Sequence, residues 1–152
     1  VLQGDGQGNW RAVPGAESGL WLTGEGRGAA LSDFDHDGKL DIVVTQNRGP
    51  SRLFHNLSAQ SALRIELIGL NTNLKAIGAQ IRARFRDGSR GPVHEIHAGS
   101  GYWSQDSTSW ILGGFQPPES VEIFWPGGIK ETVKVPSGTQ SIKPRHPRST
   151  SL

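Results

Sequence analysis

Asp33-Phe34-Asp35-His36-Asp37-Gly38-Lys39-Leu40-Asp41, followed at once by Ile42-Val43-Val44, is the stretch that decides how this chain is read. Its four carboxylates, on Asp33, Asp35, Asp37 and Asp41, are spaced to converge on one point, with the Lys39 carbonyl as a fifth donor. Hard oxygen ligands suit Ca²⁺, which takes about six to eight of them, and Gly38 falls where the chain must turn around the ion. Without a cation the carboxylates repel one another, so binding is expected to stabilise the fold. The apolar, β-branched run after the last acid reads as a buried strand, so the loop joins strands. An EF-hand does not fit: its twelfth position is Val44 in place of a bidentate Glu, and no helical pattern flanks the loop. A solvated Asp-Gly turn is the alternative, and it needs far fewer acids than this.

Working outward, 152 residues suffice for one domain or two small ones with a core. The 21 Gly and 9 Pro, with short apolar runs between turn signals, predict an all-β class. No run approaches the roughly 18 apolar residues of a membrane helix, so no membrane insertion is expected. Zero Cys excludes disulfides, thiolate metal sites and Cys nucleophiles. The absence of Met, residue 1 included, reads as a processed chain or an excised piece. The net charge of +2 hides an asymmetry: residues 1–45 carry seven acids and three bases (net −4), and residues 46–152 seven acids and thirteen bases (net +6). Two units are therefore expected, an acidic one around the metal loop and a basic one after it. The Pro-rich tail, residues 143–152, is expected to be disordered.

In order, Gly4-Asp5-Gly6-Gln7-Gly8-Asn9-Trp10 reads as a hairpin and residues 17–26 as a loop. Strands follow at 28–32, 40–46 and 51–56. Strand, Asp33-x-Asp35-x-Asp37-Gly38-x-x-Asp41, apolar strand, turn and Leu53-Phe54-His55-Asn56 together resemble the FG-GAP/VCBS repeat, the calcium-binding blade of integrin-α-like propellers. The resemblance implies a blade that begins partway through a propeller. A closed propeller takes about four to eight four-stranded blades, so residues 1–58 are expected to form only a partial one.

The second unit, residues 62–142, begins with Leu63-Arg64-Ile65-Glu66-Leu67, which alternates as a half-buried strand does. Residues 77–86 predict another strand, with Ile77, Ala79, Ile81, Ala83 and Phe85 on one face and Gln80, Arg82, Arg84 and Arg86 on the other. Asp87-Gly88 closes a hairpin, and strands are expected at 92–98, 110–112, 121–125 and 129–135. Leu63-Arg64-Ile65-Glu66-Leu67, Ala76-Ile77-Gly78-Ala79, His97-Ala98-Gly99-Ser100-Gly101-Tyr102-Trp103-Ser104-Gln105-Asp106-Ser107 and Val121-Glu122-Ile123-Phe124-Trp125-Pro126-Gly127-Gly128 resemble the ASPIC/UnbV domain. One departure is Ile111-Leu112-Gly113-Gly114-Phe115, where members of that family often carry a Phe-Gly-Leu-Gly-like stretch. The expected architecture is thus a partial propeller-type blade with a calcium loop, followed by a small antiparallel β-sandwich or barrel.

Several constellations bear on function. His94 and His97, three apart on a strand, point to opposite faces and do not share a metal easily. Ser100, Ser104, Asp106, Ser107 and His97 are hydrolase residue types without a nucleophile elbow, so turn hydrogen bonds are the better reading. Glu95 and Glu122 form an acid pair only if the fold brings them together. No enzyme is expected. The cationic row Arg82, Arg84 and Arg86 could meet an anionic polysaccharide, phosphate or an acidic partner, or simply be the solvated side of a strand. Tyr102 and Trp103 could stack on a sugar with Gln105 and Asp106 as hydrogen-bond partners, or pack in a core. Nucleic acid fits poorly, because aromatics are not interleaved with the bases. The leading expectation is a non-catalytic, calcium-stabilised module for adhesion or assembly, located outside the cell, at its surface or in a periplasm. A protein or glycan surface partner is expected, and the strand edges of an incomplete blade invite self-association. The alternative is a carbohydrate-binding accessory domain.

Overall fold

A Gly-rich hairpin opens the chain, pairing β1 (Leu2–Gly4) with β2 (Trp10–Ala12) in antiparallel register. The Asp5 carboxylate closes its turn by accepting from the Gln7 and Asn9 backbone N–H groups and from Asn9 Nδ2. The computed structural model describes residues 1–5, 7–57, 60, 62–113 and 116–149. The loop expected near residue 17 contains one helical turn, α1 (Gly15–Ser18), ended by Gly19 in the left-handed conformation. An antiparallel sheet follows: β3 (Gly26–Ser32), β4 (Asp41–Gln46) and β5 (Gly49–Phe54), in that spatial order. It has three strands and, among the described residues, no propeller closes around it.

The second unit contains β6 (Leu63–Ile65), β7 (Gln80–Arg84), β8 (Arg90–Glu95), β9 (Trp110–Leu112), β10 (Ser120–Phe124), β11 (Lys130–Lys134) and β12 (Ser141–Ile142). They form a four-stranded sheet, β11-β10-β7-β8, and a three-stranded sheet, β12-β6-β9. Alternation decides which side of each strand is buried. Ile81 on β7, Val121 and Ile123 on β10 and Ile65 on β6 are fully buried and belong to one cluster with Leu63, Leu67, Ile96 and Trp125. The two sheets therefore share a core, each buried Val or Ile contributing about 1.5–3 kcal/mol of apolar burial. The all-β class is as expected, and no closed barrel is present among the described residues.

Three expectations are corrected. The strand predicted over residues 77–86 is only Gln80–Arg84. Ala76 and Gly78 have positive φ, and the Asn73 side chain brackets Ile77, accepting from its N–H and donating to its carbonyl at 2.9 Å each, so the chain is still turning there. Arg86 consequently lies beyond the strand and out of the Arg82–Arg84 row. The sheets are not purely antiparallel, because β12 runs parallel to β6. The segment from residue 143, expected to be disordered, continues that parallel pairing as far as His146: Ile68 N–H donates to the Pro144 carbonyl at 2.9 Å and His146 N–H to the Ile68 carbonyl at 2.8 Å. His146 is buried with its ring edge-on to Trp125 at 5.1 Å, and Lys143 pairs with Glu66 at 3.0 Å. Composition mimicked a linker; burial of Pro144 and His146 overrides it. Gly114 and Phe115, the end of the departing stretch, and residues 150–152 of the expected disordered tail lie outside the described residues.

Removing residues 143–152 should lower the unfolding free energy by about 2 kcal/mol or more, the scale of two backbone hydrogen bonds plus re-exposed aromatic surface. Urea denaturation should show an earlier midpoint, and tryptophan emission a red shift as Trp125 gains solvent. A disordered tail would leave both unchanged.

Candidate metal centre

The acidic loop spans the gap between β3 and β4, and two left-handed residues, His36 (φ 64) and Gly38 (φ 82), fold it back on itself. Asp33, at the end of β3, and Asp41, the first residue of β4, are 3% and 2% exposed. Asp41 is held from both sides: Oδ2 accepts from Phe34 N–H at 3.2 Å and Oδ1 from Asn56 N–H at 2.8 Å. Asn56 in turn donates its side-chain amide to the Leu40 carbonyl. Asp35 Oδ1 accepts from Asp37 N–H, and Asp37 Oδ1 from Lys39 N–H.

The structure divides the four predicted carboxylates. One oxygen each from Asp33, Asp35 and Asp41 lie within 4.8 Å of one another, and a second set, sharing Asp35, contains Asp37 and His55. Asp37 also pairs with Lys39 Nζ at 2.8 Å, and that hydrogen bond holds its carboxyl below the usual carboxylate range while raising the Lys39 ammonium. Lys39 was expected to contribute its carbonyl; its side chain meets the acids as well. His55 Nε2 lies 3.0 Å from Asp35 Oδ2 and 3.8 Å from Asp37 Oδ2.

The donor set fits a cation. Asp33 Oδ1 is buried and has no hydrogen-bond partner among the described residues, while Oδ2 accepts from Gly38 N–H and from Arg64 Nη1 at 3.1 Å. A buried, unpartnered carboxylate oxygen is costly, and a bound ion removes the cost. Asp33, Asp35 and Asp41, all oxygen donors, would hold a hard divalent ion; the set does not discriminate Ca²⁺ from other hard cations.

Sequence reasoning missed three participants. His55 and Asn56 sat in the quoted Leu53-Phe54-His55-Asn56 stretch, where an amide and an imidazole beside a strand end were the available signal. Arg64 left no local signal, because it reaches Asp33 from β6, across the boundary between the units.

The remaining candidates are placed differently. Tyr102 and Trp103 are 71% and 84% exposed with ring centroids 6.0 Å apart, so neither packs in the core. Gln105 is committed within its loop, accepting from Gly99 N–H and donating to the His97 and Asp106 carbonyls. Asp106 ties the loop to the first unit: Oδ1 accepts from Leu31 N–H at 2.8 Å, and Ser107 N–H donates to the Leu31 carbonyl. Gly28 permits this approach, since a Cβ there would stand 2.9 Å from the Trp103 carbonyl oxygen. The hydrolase-type residues serve these turns, Ser100 Oγ accepting from Asp106 N–H. His94 stacks on Trp110 at 5.0 Å, whereas His97 is exposed beside Glu95. Glu95 and Glu122 take different partners, Gln80 for the first and Arg84 and Arg90 for the second.

Residues 69–151, just over half of the chain, match the model of the family described as ASPIC and UnbV. The chain belongs to that family. It is also similar to cartilage acidic protein 1 of Mus musculus, 51% identical over 39 residues, and of Homo sapiens and Xenopus tropicalis, each 49% identical over 39 residues. Those matches cover 26% of the chain and 6% of each relative, so the chain spans a small fraction of the relatives' length.

His94 supplies a pH test remote from the acidic loop. Burial, then the nearby His97, lowers its pKa from 6.5, with Asp106 opposing. The unfolded chain therefore binds the proton more readily, and the contribution of neutral His94 is complete above about 6.5 and lost as pH falls through the lowered folded value. Urea denaturation at pH 7.5, 6.5 and 5.5 should show His94→Phe, which keeps a ring against Trp110, losing less stability on acidification than the parent chain.

Proposed function

We propose that this chain is a non-catalytic, cation-stabilised extracellular module in which residues 33–41 bind Ca²⁺ and the family domain presents the contact surface for adhesion or assembly. The observation that carries the reading is the buried Asp33 Oδ1, without a hydrogen-bond partner among the described residues, on a carboxylate clustered with those of Asp35 and Asp41. The antiparallel β3-β4-β5 sheet with its acidic loop between the first two strands supports a blade of FG-GAP/VCBS type. Relatedness to the cartilage acidic proteins supports an extracellular setting. Self-association through strand edges is the weaker variant, because the loop at Asp106 and Ser107 already occupies part of the β3 edge at Leu31.

Thermal unfolding after chelation, with and without added Ca²⁺, tests the metal. Ca²⁺ should raise the melting temperature saturably, on the order of 2.7 kcal/mol of stabilisation at a hundredfold excess over Kd, and Asp35→Ala/Asp37→Ala should abolish the rise. A melting temperature indifferent to Ca²⁺ in the parent chain would sink the reading.

The exposure of Tyr102 and Trp103 favours a second reading, in which this pair stacks on a glycan. Saturable binding on a glycan panel, lost in Trp103→Ala, is then expected; a panel with no binder rejects it.

A further inference from the structure

The outer face of the four-stranded sheet carries more cations than carboxylates. Its inner face is Ile81, Ala83, Val121 and Ile123, all fully buried, so the alternate residues of β7 and β10 face outward. Register places Arg90 opposite Arg84, Arg84 opposite Ser120, and Ser120 opposite Lys134. One line across all four strands thus reads Arg90, Arg84, Ser120, Lys134, about 14 Å long at about 4.8 Å per strand. The next row adds Arg82, and the one after it Lys130. Against these five cations the face carries two carboxylates, Glu122 and Glu95.

Neutralisation within the chain is incomplete. Glu122 Oε1 alone serves two guanidiniums, Arg84 at 3.3 Å and Arg90 at 3.5 Å. Arg82 gives its Nε to the Gly91 carbonyl at 3.1 Å, and among the described residues no carboxylate pairs with Arg82, Lys130 or Lys134. Arg84 and Arg90 keep 42% and 51% of their side chains exposed. Within the row, Arg90 and Arg84 stand directly opposite each other on neighbouring strands, an arrangement that disfavours a sheet, and the two share the single Glu122 carboxylate. A solvated strand face needs only scattered charges of both signs.

We propose that this face binds a linear sulfated polysaccharide, laid across the strands along the Arg90–Arg84–Lys134 line. Guanidinium forks match tetraoxo anions through paired N–H groups, and displaced counterions make such contacts strongly salt-dependent. The face lacks a stacking platform for single-stranded nucleic acid: its one ring, Phe124, has Lys130 Nζ 5.1 Å from its centroid. This inference is independent of the calcium reading, because every residue in it lies on the second unit's sheet.

The test is binding of a heparin-derived dodecasaccharide to the full chain in Ca²⁺-containing buffer at several salt concentrations. Arg90→Gln/Lys134→Gln, which removes both ends of the line at exposed positions, should weaken binding at least tenfold and flatten the dependence of log K on log salt. Arg27→Gln/Arg52→Gln, which removes two charges from the first unit, should bind as the parent does. Equal melting temperatures for the three proteins show that folding is not the cause; if the first variant is unstable, Arg82→Gln/Lys130→Gln replaces it with the same expectation. No binding by the parent, equal loss in both variants, or equal affinity for single-stranded DNA or polyglutamate would overturn the proposal.

Discussion

Burial of two aspartates at the mouth of one strand is the constraint to which the first unit is built. Asp33 and Asp41 sit at the facing ends of β3 and β4, directly paired at Ser32 and Asp41, where the antiparallel register leaves no room for the loop to splay. Removing charged groups from water is affordable only with dense compensation. Here that compensation comes from backbone N–H groups of Phe34, Gly38 and Asn56 and from the Arg64 guanidinium. One oxygen, Asp33 Oδ1, has no hydrogen-bond partner among the described residues.

The same constraint joins the two units. Arg64 reaches from β6 to meet Asp33, and Ala62 N–H donates to the Gly38 carbonyl, so the acidic loop and the segment that opens with β6 share hydrogen bonds. A polar cleft of about 340 Å³ lies between them, lined by Asp33, Asp37, Arg64, Glu66 and Lys143 among others. At a second point the loop carrying Tyr102 and Trp103 fastens to β3 through Leu31. An ion at the acidic loop therefore acts on a junction, since the carboxylate it would bind is also the partner of a cation from the neighbouring unit.

Much of this was legible in the residues. The acids before Ile42-Val43-Val44 marked an acidic loop joining two strands, and alternation in residues 80–84 assigned Ile81 and Ala83 to the core and Arg82 and Arg84 to the outer face. Where local pattern misled, tertiary pairing was the reason. Residues 77–79 alternate like a strand yet turn, because the Asn73 side chain captures Ile77. Lys143-Pro144-Arg145-His146 has the composition of a linker yet lies parallel to residues 66–68, because those residues prolong the edge along which β12 pairs with β6 and Trp125 offers a face for His146.

By itself, the sequence determined the all-β class, the charge asymmetry between residues 1–45 and 46–152, the cluster of carboxylates between two strands and the family that residues 69–151 match, since all of these depend on composition and on spacings within a few residues. Only the tertiary structure decided which three of those carboxylates converge, that His55 and Arg64 join them, that Tyr102 and Trp103 stand in solvent, and that Arg90, Arg84 and Lys134 fall in one line. Each of these is set by the register between strands far apart in the chain, and strand register is a property of the packed sheet that no single strand carries.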